Sequence, residues 1–216
     1  LGAFALAAGH AATGPLHATH MPRLVEQLLG DGSAEGSQAP YAHWQAHTSE
    51  WHLLQALLRQ CDGPTAASQL LVVTPCLARL LDPKQEPVLR GTALALLDAL
   101  LAEPSFAQAP ELDDWAELLF SAMLVPNLVW RAGRAAEHVR LAAMTSLNRL
   151  VPLPSLTAPQ LEAQLEDALP VLHSTLDDDN VETRRLCCGV VESVLEKLGP
   201  HRVESERARK LYPELL

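Results

Sequence analysis

Three times along the chain a proline is followed, 14 or 15 residues later, by an arginine: Pro75 and Arg90, Pro126 and Arg140, Pro170 and Arg184. Three residues past each arginine stands a small side chain, Ala93, Ala143 or Cys187. Seven and ten residues past it stand Leu97 and Leu100, Leu147 and Leu150, or Val191 and Val194. Steps of three, four and seven place these residues on one face of a helix. Turn-forming residues separate each proline from its arginine: Asp82-Pro83, Ala132-Gly133 and Asp177-Asp178-Asp179-Asn180. Residues 124–150 show the unit most clearly, as one apolar helix ending at a proline, a turn, and a second helix. A chain written this way must bury its apolar faces between successive helix pairs.

The arginines are 50 and 44 residues apart, which approximates the ~40–47-residue period of HEAT or armadillo units and not the ~33–34 of ankyrin or tetratricopeptide arrays. A proline in the first helix and an arginine in the second suit HEAT. Hydrophobic residues make up 48% of the chain and aromatics 4%, a Leu- and Ala-rich balance that favours helix-on-helix packing over a sheet. The expectation is an all-α chain, an α-solenoid of HEAT repeats stacked as a right-handed superhelix. The 216 residues then form one solenoid fragment of about four to five units.

Taken in order, residues 1–8 resemble the tail of a truncated helix, and residues 16–29 give a first helix within a degenerate first unit, 10–61. A Gly- and Ser-rich loop at 30–40 precedes its partner, which starts near Thr48 or Ser49, either hydroxyl serving as cap. Residues 66–81 and 88–101 form the second pair. Residues 103–110 interrupt, and Pro110, Asp113 and Asp114 suit a helix N-terminus. Thr157 and Gln160 match a capping box, and the turn 177–180 caps the answering helix. Residues 204–216 open a truncated last unit, through which the chain is expected to self-associate.

A formal net charge of -10, with no basic stripe, argues against nucleic acid as a partner. No apolar run approaches the ~18 residues of a membrane span. Cys61, Cys76, Cys187 and Cys188 form no C-x-x-C pair and suit a reduced, intracellular compartment. Six histidines, His10, His17, His20, His43, His47 and His52, crowd the first 52 residues. His43 and His47 have the i, i+4 spacing of a shared helix face, but no acid or thiol stands at ligand spacing, so no metal is expected. Phosphate-binding and nucleophile motifs are absent as well, and the acids at 113–114 and 177–179 are explained as helix starts. No catalytic residue and no cofactor follow from the sequence, which leaves surfaces as the means of action.

Arg90, Arg140 and Arg184 occupy equivalent places, where a guanidinium can bridge to carboxylates or carbonyls of the inter-helix turns and tie neighbours together. Trp130, Arg131 and Arg134 differ from them. Their turn is basic and aromatic where the corresponding turns are acidic, which makes them the candidate protein-binding residues. The competing role for Trp130 is a packed hinge between its two helices.

Pro126-Asn127-Leu128, Trp130, Ala132-Gly133-Arg134 and Val139-Arg140, with Tyr212-Pro213-Glu214-Leu215-Leu216, resemble the HEAT-repeat dynein axonemal assembly factors near their C-terminal end. The specific match covers roughly residues 125–216. The resemblance implies a cytoplasmic, non-enzymatic scaffold for preassembling dynein arms of motile cilia and flagella, with dynein chains, chaperones and other assembly factors as partners. Another HEAT adaptor, such as a transport receptor or tubulin-binding array, is the alternative. A tubulin partner would demand more basic turns than this chain carries. A histidine-based metal enzyme is a third and weaker reading.

Overall fold

The computed structural model describes residues 13–30 and 39–199. The expected features at residues 1–8, His10, most of the 30–40 loop, and the final helix with its self-association lie outside the described residues. Among the described residues the secondary structure is helical, without strands. No described helix is long and apolar enough to cross a membrane. The chain divides into two compact units, residues 1–112 and 113–216.

The first unit contains α1 (Thr13–Leu29), α2 (Ser49–Gln60), α3 (Gly63–Ala67), α4 (Leu70–Leu80), α5 (Pro87–Leu101) and α6 (Pro104–Ala107). Helix α1 packs on α4 and α2 packs on α5, while α1 also meets α2 and α4 meets α5. First helices therefore stack on first helices and second on second. Met21, Val25, Trp51, Leu54, Leu77 and Leu97 are buried between them. Fully buried Trp51 donates its indole N–H to Thr92 Oγ1 at 3.0 Å, so the largest apolar side chain of α2 reaches α5 with its polar atom satisfied.

Two local expectations fail here. Residues 66–81 do not form one helix, because the chain bends at Ser68 and Gln69 between α3 and α4. Asp62 accepts the amide of Thr65 at 2.8 Å and starts α3 early, with Pro64 in its first turn. Helix α3 then packs on α6, approaching so closely that a Cβ on Gly63 would lie 2.3 Å from the Phe106 backbone nitrogen. The Thr48 hydroxyl does not cap α2 either. It accepts from the Gln45 amide at 2.8 Å, closing the turn before the helix.

The second unit begins irregularly. Residues Pro110–Asp114, whose first three belong to the first unit, form a 3-10 turn where an α-helix N-terminus was expected. The α turn α7 (Ala116–Leu118) follows, widening to a π segment at Leu119–Leu124 and tightening to 3-10 at Val125–Leu128. Pro126 has no N–H to donate, so the i to i−4 ladder cannot continue through it. The Asn127 side-chain amide donates to Met123 O at 2.7 Å, serving a carbonyl near the distortion. Despite the change of pitch, Leu112, Ala116, Leu119, Phe120 and Met123 are all buried as the apolar pattern requires.

Regular helices resume with α8 (Arg134–Leu150), α9 (Ala158–Leu176) and α10 (Val181–Leu198). Gln160 Oε1 accepts from the Thr157 amide at 2.8 Å in the expected capping box. Asn180 caps α10 by accepting the Thr183 amide at 3.0 Å. Within this unit Val125–Leu128 packs on α9 and α8 packs on α10, the like-on-like pattern of the first unit again. Val139, Ala143, Leu147, Cys187, Val190 and Val194 fill the contact layer. Near the C-terminus of α10, Lys197 Nζ donates to the carbonyls of Val151, Leu153 and Leu156 at 2.5, 2.5 and 2.6 Å.

Candidate protein-docking surface

Arg140 projects from α8 beneath the turn that precedes its own helix. Its Nε and Nη2 reach the Asp178 carboxylate at 2.5 and 3.3 Å, and its Nη1 donates to Arg131 O at 2.9 Å. Arg140 is 3% exposed and Asp178 2%. A buried pair with two-point geometry and every group engaged is held in a single arrangement, and removing one partner would strand the other charge. Asp178 Oδ1 also accepts the Asn180 amide at 2.9 Å, and Arg184 Nη1 donates to Asp178 O at 2.5 Å. Alongside, Asn180 Nδ2 donates to Glu137 Oε1 at 2.7 Å. These bonds place the turn of the third helix pair beside the turn of the fourth.

The three repeated arginines share one feature and differ in another. Each donates to a carbonyl of its own preceding turn, Arg90 to Gln85, Arg140 to Arg131 and Arg184 to Asp178. Arg140 also crosses to a carboxylate of the next pair, while half-buried Arg184 closes its own turn through the Asp178 and Asp179 carbonyls. The prolines sit in the first helices, Pro75 inside α4, Pro170 inside α9, and Pro126 in the 3-10 segment.

Trp130 is not packed into the hinge. It is 56% exposed, and the Arg140 guanidinium lies 6.0 Å from its ring centroid, within cation–π reach. Exposed Val129 precedes it and exposed Arg131 and Arg134 follow. Gly133, at φ 103°, permits the sharp entry into α8. The fourth turn contributes exposed Asp177, Asp179 and Val181. Trp130, Arg131 and Arg134 are thus brought together at one exposed tip, above a buried ionic base.

Among the described residues the histidines and cysteines form no comparable arrangement. His43 ends the 3-10 turn Pro40–His43 and His47 lies in the next turn, so the two do not share a helix face. Among the described residues no group of three or more His, Cys, Asp or Glu side chains could hold a metal ion. Burial pushes the Cys61 thiol up to about 11 and the Cys187 thiol up to about 12, the latter also facing Leu172 O at 3.3 Å. Burial raises Cys76 as well. Such thiols stay protonated and unreactive near neutrality.

Sequence reasoning missed Asp178 as the buried acid among three consecutive aspartates, and Val181 as an exposed apolar neighbour. The helical phase of α10 offers a weak signal for the second, since Val181 lies off the stripe that runs through Cys187, Val190 and Val194. Nothing local distinguishes Asp178 from Asp177 or Asp179.

No family model matches the chain, and no solved structure matches it. Curated relatives do. Dynein axonemal assembly factor 5 of Mus musculus is 30% identical over 203 residues, and its Homo sapiens counterpart is 29% identical over the same length. The Xenopus laevis protein of that name is 26% identical. These alignments take in 93% of this chain but only 22–23% of each relative, so the chain spans about a fifth of the length of the proteins it matches.

Proposed function

We propose that this chain is a HEAT-repeat segment of a cytoplasmic, non-enzymatic factor for assembling axonemal dynein arms. The observation that carries the reading is the similarity along 93% of the chain to proteins named dynein axonemal assembly factor. Like-on-like stacking of first and second helices within each unit supports the HEAT assignment. A repeat of this kind offers long ridges of turns and helix faces in place of a pocket, which suits a scaffold. The partners in this reading are dynein chains, chaperones and other assembly factors, and the third turn, with Trp130, Arg131 and Arg134, is a contact for one of them.

The test is affinity purification with the tagged chain from ciliated-cell cytoplasm, followed by mass spectrometry against a scrambled-surface control. Enrichment of axonemal dynein chains is the expected result. Selective recovery of tubulin or transport cargo, with no dynein chain above control, would replace this reading with a different HEAT adaptor.

A further inference from the structure

We propose that the third and fourth inter-helix turns, both in the second unit, form one contact strip that takes an acidic segment of a partner protein anchored by a single apolar side chain. The inference rests on the scaffold reading above and goes further by naming the chemistry of what is held. Continuity of the strip follows from Arg140, whose one guanidinium bonds both Arg131 O and the Asp178 carboxylate. The two tips therefore stand within a guanidinium's span of each other.

Three large apolar side chains surface on the strip: Val129 at 49%, Trp130 at 56% and Val181 at 68% exposure. Exposed apolar surface rimmed by charge is the usual mark of a protein contact. Trp130 is also pre-organised, because the Arg140 guanidinium beneath it is itself fixed at two points. A rigid aromatic loses little freedom on binding. The rim sets the partner's charge. Arg131 and Arg134 are exposed on the tryptophan side, and Arg134 is the first residue of α8, where a cation opposes the helix dipole. Helix stability gives no reason for a cation there, whereas a carboxylate on an incoming chain does. Asp177 and Asp179 are exposed at the other end and repel acidic residues, so the partner's carboxylates must lie on the Arg134 side of the strip with its apolar residue against Trp130. Glu137 is half-buried and engaged by Asn180, so it does not stand in that path.

Short synthetic peptides test this: one with glutamates beside a central phenylalanine, one with serine for the phenylalanine, and one with lysines for the glutamates. Binding to the chain is followed by peptide anisotropy and by tryptophan emission. The change in emission on binding reports mainly on Trp130, since Trp44 and Trp51 are buried and Trp115 is half-buried, away from an incoming peptide. The first peptide should bind at least about ten-fold more tightly than either other, the step that one anchor contact or one charge reversal supplies. Trp130→Ala and Arg134→Glu should each lose about that factor. Arg134→Glu keeps the proposal falsifiable if Trp130→Ala disturbs the fold. Equal binding of the serine peptide, equal binding of the lysine peptide, or a wild-type affinity in Arg134→Glu overturns the proposal. Dynein recovery by the same variants is judged separately: peptide discrimination without dynein recovery upholds the strip and removes dynein as its partner.

Discussion

The third and fourth inter-helix turns, both in the second unit, occupy equivalent places between paired helices, yet they treat the buried Arg140 differently. The fourth turn sends Asp178 inward, where it is 2% exposed and clasped by Arg140. The third sends Trp130 and Arg134 outward and offers the buried arginine a backbone carbonyl, that of Arg131, and the face of the Trp130 ring. Equivalent positions in a repeat thus divide into an internal bond that holds the pairs together and an external tip that faces solvent. The contrast teaches that charge alone does not identify a working surface in such a chain. The most strongly bonded ion pair is architecture, and the exposed cation at an unfavourable helix start is the better sign of contact.

Removing the inward acid should break this contrast most severely. Asp178→Ala leaves the Arg140 charge buried without its carboxylate, and should cost ~3–5 kcal/mol in urea unfolding. Replacing Arg140 and Asp178 together by Met and Leu should recover most of that loss, because the penalty lies in the stranded charge. A single variant within about 1 kcal/mol of wild type would mean that the pair holds nothing together. Leu147→Ala supplies a purely apolar yardstick: the side chain is fully buried, and its truncation should cost ~2–5 kcal/mol.

How much of this was legible beforehand follows the range of the interactions. The Pro and Arg spacing and the apolar stripe place the helix pairs of both units, and the α8 and α10 contact layers carry the residues that pattern names. That information is local and repeats with the helix period. The bend between α3 and α4 is not local. The short helix before it is seated with Gly63 lying against Ser105 and Phe106, residues some forty positions away in the sequence. The π segment at Leu119–Leu124 is not legible in the sequence, because an apolar pattern sets which residues are buried but not the pitch of the backbone before Pro126. At the candidate site, the cluster of Trp130, Arg131 and Arg134 is visible as composition, while the exposure of Trp130 is not. A tryptophan between helices satisfies the same pattern whether it packs inward or stacks on an arginine from outside.

Smaller effects should sharpen the description of the outward tip. Gly133→Ala puts a side chain at φ 103° and ψ 151° and should cost ~1–3 kcal/mol, although open space surrounds the position. If thermal unfolding of this variant matched wild type, the turn would have to relax into another backbone conformation. Arg134→Glu should be the mildest of the set, with a midpoint unchanged or raised by an amount within ~1 kcal/mol, since it places an anion at the start of α8. A clear loss of stability from that change would make Arg134 a structural residue and erase the distinction between the two tips.

The Lys197 ammonium bears on how the second unit comes apart. Its three N–H groups face the carbonyls of Val151, Leu153 and Leu156, in a link whose Pro152 and Pro154 have no amide protons of their own to offer. Under tension, or in the first steps of heating, such a link is where a stack of helix pairs would be expected to peel open residue by residue. Here the three carbonyls share one ammonium carried on the last turn of α10, so loosening of the link and loosening of the helix end are coupled. The link and the helix end therefore open as one block, and the amides of both should exchange with solvent at a common rate.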